Sequence, residues 1–351
     1  MGKSARRSSL RIVLGVFAAM AAASASSAAD FDAFDLHGYG TQTYAQTNGN
    51  AYIDADQKGT WDNNILALVG TVALGDKTKL WAQLETSSLE ATRFSWFFLD
   101  FQLTDDSTVH VGRVKFPLGV YNETIDAKFL QQSSLEPAVY QQAADFVHDA
   151  YTGVGYDHVQ HLGDAGKITW QIYGGNAYDT DPPVASRDRR IYGARVTYAT
   201  PIDGLRFLLS GYRTQVQILA TDSLINETRW IASVDYVNSD WDLKSEYGGH
   251  KFGSIDSDAY YVQVGRTFAT RWTVFGRYDS VIMDKSQTSS DSFSQKILVA
   301  GLNFKVRSNV SLRVENQFNR GYALPVASGE VQQGLGKHNW NLLIVGLHFI
   351  F

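Results

Sequence analysis

Cysteine is absent from the 351 residues, so the chain has no disulfide framework, no thiol nucleophile and no Cys-ligated metal. Proline is scarce, at six, and no Pro- or Ser-rich tract or shift of composition divides the chain into domains. Outside the first 29 residues no run of about 18 apolar residues occurs, which excludes a bundle of membrane-crossing helices. Catalytic and nucleotide signatures are missing as well: there is no G-x-S-x-G, H-E-x-x-H, Walker A or G-x-G-x-x-G. The eight histidines set no ligand spacing. His158 and His161 stand three apart in a strand-like stretch, which puts them on opposite faces. The formal charge of −5 disfavours a nucleic-acid partner. No enzyme activity, cofactor or metal is expected.

What is present points to an exported β-protein. Lys3, Arg6, Arg7 and Arg11 precede an apolar run over 12–23 and the small-residue stretch ASASSAA, the pattern of a Sec-type signal peptide cleaved after Ala29. Removing its four basic residues takes Lys+Arg from 31 to 27 against 36 Asp+Glu, a mature charge of −9. The remainder, 30–351, reads as one domain. Thirty glycines with 8 Trp, 18 Tyr and 19 Phe suit strands and turns.

Sixteen strand-like segments follow: 35–45, 64–75, 77–87, 93–104, 107–115, 150–161, 166–177, 188–200, 204–216, 227–238, 240–250, 258–268, 270–282, 293–305, 308–319 and 339–351. Most have the 9–13 residues that a tilted strand needs to cross a bilayer. Many alternate at period two. Val310, Leu312, Val314 and Phe318 oppose Ser311, Arg313, Glu315 and Gln317; Leu343, Val345, Leu347, Phe349 and Phe351 share one face. Connections also sort by length. Short turns alternate with longer loops at 46–63, 88–92, 116–149, 178–187, 217–226, 251–257, 283–292 and 320–338. An even strand count with short turns at one end and long loops at the other is the layout of a transmembrane antiparallel β-barrel, an all-β fold. Aromatics near strand ends (Tyr198, Tyr236, Trp241, Tyr247, Phe268, Trp272, Tyr278, Phe304) fit an interfacial girdle.

The longest connection, 116–149, carries too many apolar residues for a simple surface loop. Ser133 and Glu136 have capping-box spacing ahead of Pro137, which predicts a short helix over about 135–145. The segment is expected to fold into the lumen and narrow it, presenting Glu123, Asp126, Glu136, Asp145 and Asp149 with Lys128 as its one cation. Strand parity puts Lys79, Glu85, Asp100, Arg195, Arg206, Arg229, Asp235, Asp242, Lys244, Glu246, Arg277, Asp279, Arg313 and Glu315 on the inner wall. Turned to lipid, each basic residue near the midplane would cost roughly 2–4 kcal/mol. His348 also falls on the inner face. Arg113 and Lys115 break parity with Val109 and Val111, by a bulge at the loop root or by burial against a neighbouring subunit. The strand 64–75 is apolar on both faces, as beneath an inward loop or at a subunit interface. Tyr178-Asp179-Thr180-Asp181 is a candidate divalent-cation loop.

Three features resemble the trimeric sixteen-stranded porins of Gram-negative outer membranes. The chain ends in Phe351 with Phe349 two before it, the longest loop is the third long one, and Val111-Gly112-Arg113-Val114-Lys115-Phe116-Pro117-Leu118-Gly119 is similar to the strand-to-loop passage of the phosphate-selective porin O/P group. The resemblance implies a constriction by the third loop, Phe351 as a signal to the barrel-assembly machinery, a homotrimer, contact with lipid and lipopolysaccharide, and passive diffusion of small hydrophilic solutes and ions. The acidic loop departs from the basic constriction of phosphate-selective members, which argues against a dense anion trap. Two other readings are an anion-specific channel using the arginine-rich wall, for phosphate or organic acids, and a non-conducting structural, adhesive or enzymatic barrel.

Overall fold

The computed structural model describes residues 34–88, 91–141, 149–179, 186–325 and 328–351. The expected leader therefore lies outside the described residues. So do Asp145, and Thr180 and Asp181 of the candidate cation loop.

Sixteen strands close into one antiparallel barrel. They are β1 (Phe34–Thr47), β2 (Asn64–Gly75), β3 (Thr78–Ser87), β4 (Arg93–Thr104), β5 (Ser107–Lys115), β6 (Ala150–His161), β7 (Lys167–Asp179), β8 (Ser186–Ala199), β9 (Leu205–Ile218), β10 (Ser223–Val237), β11 (Trp241–Phe252), β12 (Ile255–Phe268), β13 (Trp272–Ile282), β14 (Ser294–Arg307), β15 (Val310–Gly321) and β16 (Asn339–Ile350). Each strand pairs with its sequence neighbours, and β1 also pairs with β16, so no edge is left open. At this seam the ring tips of Phe349 and Phe351 occupy the space beside Gly40 and Gly38. A Cβ on Gly38 would stand 2.2 Å from the Phe351 ring, and Phe351 exchanges backbone bonds of 2.9 and 2.8 Å with Gly38.

The alternation resolves as an inverted protein. Leu312, Val314 and Phe318 of β15 are exposed, while Ser311, Arg313, Glu315 and Gln317 are buried. In β7, Ile172 is 58% exposed and Gln171 is 8%. Apolar outside and polar inside is the arrangement a bilayer imposes. Aromatics pair on the outer face at two heights. Trp272 stacks on Phe304 (4.2 Å between centroids) beside the short-turn end, and Trp230 meets Tyr247 (5.4 Å) farther along the strands.

Two of the expected long loops are tight hairpins instead. Ser223–Asn226 continue β10 in register with Gln215–Ile218 of β9, leaving only 219–222 as a turn, and β11 joins β12 through 253–254. These stretches look like loop in sequence because alternation lapses in them, with Leu224 beside Ile225 and Gly253 after Phe252. The helix predicted over 135–145 does not form over 135–141, and 142–145 lie outside the described residues. Among the described residues of that stretch only the 3-10 turn Ala138–Tyr140 forms. Ser133 does not cap it, because its hydroxyl is donated to Glu315 on the wall. Arg113 stands opposite the exposed Phe97 and donates its Nε to the Ser95 carbonyl at 2.7 Å, whereas Lys115 is buried at the loop root, and β5 keeps its register with β4 as far as Arg113 and with β6 through both. Gly112 has φ +142, where a Cβ would stand 2.5 Å from the Phe97 carbonyl oxygen.

Candidate functional site: the loop-lined constriction

The third long loop enters the lumen at a clamped root. Lys115 Nζ bonds Asp126 Oδ2 at 2.5 Å and also Asp149, so one ammonium ties the two ends of the loop together. Phe116 packs among Tyr151, Tyr173 and Tyr212, with centroids 5.2, 5.7 and 4.8 Å away. Gly119 then turns the chain with φ +56. A Cβ there would lie 1.9 Å from Tyr140 Oη, so only glycine fits.

Beyond the turn, four donors converge on one buried carboxylate. Glu246 accepts from the Val120 N–H (2.8 Å), Tyr140 Oη (2.5 Å), Ser233 Oγ (2.5 Å) and Tyr261 Oη (2.8 Å). Gln263 Nε2 donates to Tyr121 Oη at 2.8 Å. The second half of the loop is held through its backbone. Glu315 accepts from the Ser134 N–H (2.8 Å), and Asp279 from the Ala138 N–H (2.9 Å). Arg277 Nη1 donates to the Leu135 carbonyl (2.9 Å), and Arg313 Nη2 to the carbonyls of Gln131 and Lys128.

These contacts change the reading of the wall. Arg229, Arg277 and Arg313 were expected to face the open channel, yet they are among the most buried side chains of the barrel, at 2%, 1% and 0% exposure. Arg277 and Arg313 lie beneath the loop, with their charge directed at loop carbonyls. Arg229 pairs with Glu227. Arg195 reaches the loop too, pairing with Glu123 at 2.6 Å. Arg206 and Lys244 share Asp235, at 2.6 and 3.4 Å, and Lys244 also meets Asp242. Lys79 is exposed at the short-turn end, in register with Asp100. The parity argument thus found the inner face. It did not foresee that the loop covers part of it.

The charges left open belong mainly to the loop and to the opposite wall. A cavity of about 390 Å³ separates the loop from β1, β2, β3 and β16. Asp54, Glu85, Asp126, Glu136 and Asp149 border it, with Arg93 and Lys128 as its cations. Lys128 is paired with Glu136 at 2.5 Å, and Arg93 stands 3.8 Å from Glu85. Burial opposes ionisation of Asp126, but the ammonium of Lys115 outweighs it and holds the carboxyl below its usual range. His348 lines the same cavity from β16, on the face expected for it. Ile65 of β2 does so too, which puts one apolar face of that strand beneath the loop.

Two further loops enter the mouth, and sequence reasoning missed both. Tyr52 and Ile53 pack against Leu135 and Trp340. Leu324 is buried in the inner cluster, its N–H bonded to Gln295 at 2.9 Å. Positive φ at Ile53 and Asp54 makes the turn in the first of these, and no turn signature in the sequence marks it.

No protein-family model matches the chain, and no curated protein matches it in sequence. Solved structures do match its shape. The anion-selective porin from Comamonas acidovorans superposes with a TM-score of 0.63 at 14% identity, covering 91% of this chain and 99% of that one. The outer membrane channel DcaP of Acinetobacter baumannii gives 0.58 at 12%, covering 91% and 97%. OmpT of Vibrio cholerae, an outer membrane protein in its trimer form, gives 0.59 at 12%, covering 91% and 99%. The fold is therefore that of sixteen-stranded outer-membrane barrels of Gram-negative bacteria, porins among them.

Proposed function

We propose that the chain is an outer-membrane channel, not an enzyme, through which small hydrophilic solutes and ions diffuse passively, and that the constriction favours cations. One observation supports this most directly. The inward loop sets its own carboxylates, with Glu85 opposite, around the remaining opening, and it caps the wall arginines with backbone carbonyls. Inside a low-dielectric wall an excess of fixed negative charge raises local cation concentration and lowers that of anions. The anion-specific reading loses its main support, since Arg277 and Arg313 serve the loop. Their charge reversal would dislodge the constriction and would not report on solute choice.

Export through the Sec pathway, insertion by the barrel-assembly machinery with Phe351 as signal, residence among lipid and lipopolysaccharide, and assembly as a homotrimer belong to the same proposal. The trimer form of the Vibrio cholerae relative in fold is consistent with the last of these. The test is single-channel recording of the refolded protein in a planar bilayer. Stepwise openings in groups of three are expected. A folded barrel that carries no current would overturn the channel, and single independent steps would overturn the trimer.

A further inference from the structure

Against a different stretch of wall, between β4 and β7, lies a second cavity of about 220 Å³. Its two sides are aromatic. Trp96 and Phe98 project inward from β4 with centroids 5.7 Å apart, and Tyr151 and Tyr173 stack at 5.0 Å on β6 and β7. Gly155 lies between them, where a Cβ would come within 2.6 Å of Tyr151 Oη.

The charged groups that line this cavity are Asp157, Glu123, Lys115 and His110. His110 Nδ1 lies 2.5 Å from Asp100 and its Nε2 3.3 Å from Asp157, so one imidazole is shared by two carboxylates. Lys115 is likewise shared by Asp126 and Asp149, and Arg195 is taken by Glu123. Each cation of the lining, His110 and Lys115, is thus already held by two carboxylates. Asp157 and Glu123 line the cavity and keep 30% and 43% of their side chains exposed.

Aromatic faces present negative charge to a cation, and paired rings stack on a flat apolar body. Carboxylates beside them add Coulomb attraction and repel anions. We propose that this cavity is a binding site for a small organic cation with a flat apolar body, such as an arylalkylammonium. It is smaller than the ~300 Å³ from which drug-sized pockets begin, which limits the solute to a single ring and a short tail. The proposal rests on the channel reading for the solute's access but not for its binding.

The experiment uses the full mature protein, folded in detergent, with phenethylammonium as probe and 2-phenylethanol and phenylacetate as neutral and anionic matches. Titration calorimetry reads binding whether or not the protein conducts, so failure of the site and failure of the channel are separate results. Phenethylammonium is expected to bind roughly tenfold more tightly than the alcohol, with phenylacetate weaker still. Trp96→Ala and Asp157→Asn should each weaken it by about five- to tenfold. Glu85→Gln, at the other cavity, should leave this affinity unchanged. Equal binding of all three probes, absence of binding, or an equal loss from Glu85→Gln would overturn the site. If Trp96→Ala does not fold, Phe98→Leu, which keeps bulk and removes the ring, carries the same prediction.

Discussion

Glu246 shows how much of this molecule depends on single polar side chains. It is a carboxylate sealed under the loop, with four donors and no cation among its hydrogen-bond partners. Leaving a buried donor unsatisfied costs roughly 1–3 kcal/mol. Glu246→Ala strands several at once, and we expect it to lower the thermal unfolding midpoint in detergent and to produce a noisier open channel. A quiet channel with an unchanged midpoint would mean the loop is held elsewhere. Gly119 makes the same point through the backbone. With φ +56 and Tyr140 Oη in the space a Cβ would take, Gly119→Ala should displace the Tyr140 contact and raise single-channel conductance. The barrel should still fold, because its ladder hydrogen bonds are untouched.

The loop 116–149 behaves as a strap fastened at its root by one lysine and two aspartates. The Asp126 carboxyl titrates below its ordinary value of 3.8, so its contribution is full above that value and is lost as the pH falls below it. The loop root should therefore keep its hold down to about pH 4 and loosen only below that, read as a rise in open-channel noise in acid. Lys115→Met should abolish that acid transition, and a transition that persists unchanged in the variant would assign control to another group. The sequence disclosed this element unevenly. Its length, its place as third long loop and its acidic character were legible, because each is a property of composition along the chain. Its conformation was not. Ser133, Glu136 and Pro137 resemble a helix start, yet the barrel wall supplies Glu315, Asp279 and Arg277 as partners for the Ser133 side chain and for the loop's backbone groups, and the helix loses its advantage. The arginine wall was misjudged for the same reason. Period-two parity tells in from out, but it contains nothing about what lies against the inner face. The tight hairpins at 219–222 and 253–254 were hidden because period-two alternation lapses there, with Leu224 beside Ile225 and Gly253 after Phe252.

For the molecule as a whole, the apolar outer face and the sixteen-strand antiparallel barrel were readable from sequence, since apolar residues recur at every second position along many of the strands. The seam adds a requirement of its own. Gly38→Val would drive the Phe351 ring from its place and, with it, the last contacts of β16 on β1. The expected result is a lower yield of the heat-resistant folded form on electrophoresis, while the same substitution at Gly329, where nothing stands within 4 Å of an added Cβ, has little effect on closure. Charge at the whole-molecule level is the more consequential matter. The Comamonas porin shares this fold and is anion-selective, whereas the present constriction exposes carboxylates and covers its arginines. Selectivity would then be set by which charges the inward loop leaves open, with the barrel in common. Reversal potential across a potassium chloride gradient, recorded from the reconstituted protein and from Glu85→Gln with Asp54→Asn, two carboxylates of the cavity outside the Lys115 clamp, tests this most directly. The account predicts a potential of the sign for cation preference, reduced toward zero in the double variant. An anion-preferring potential, or one unmoved by removing both carboxylates, would contradict it.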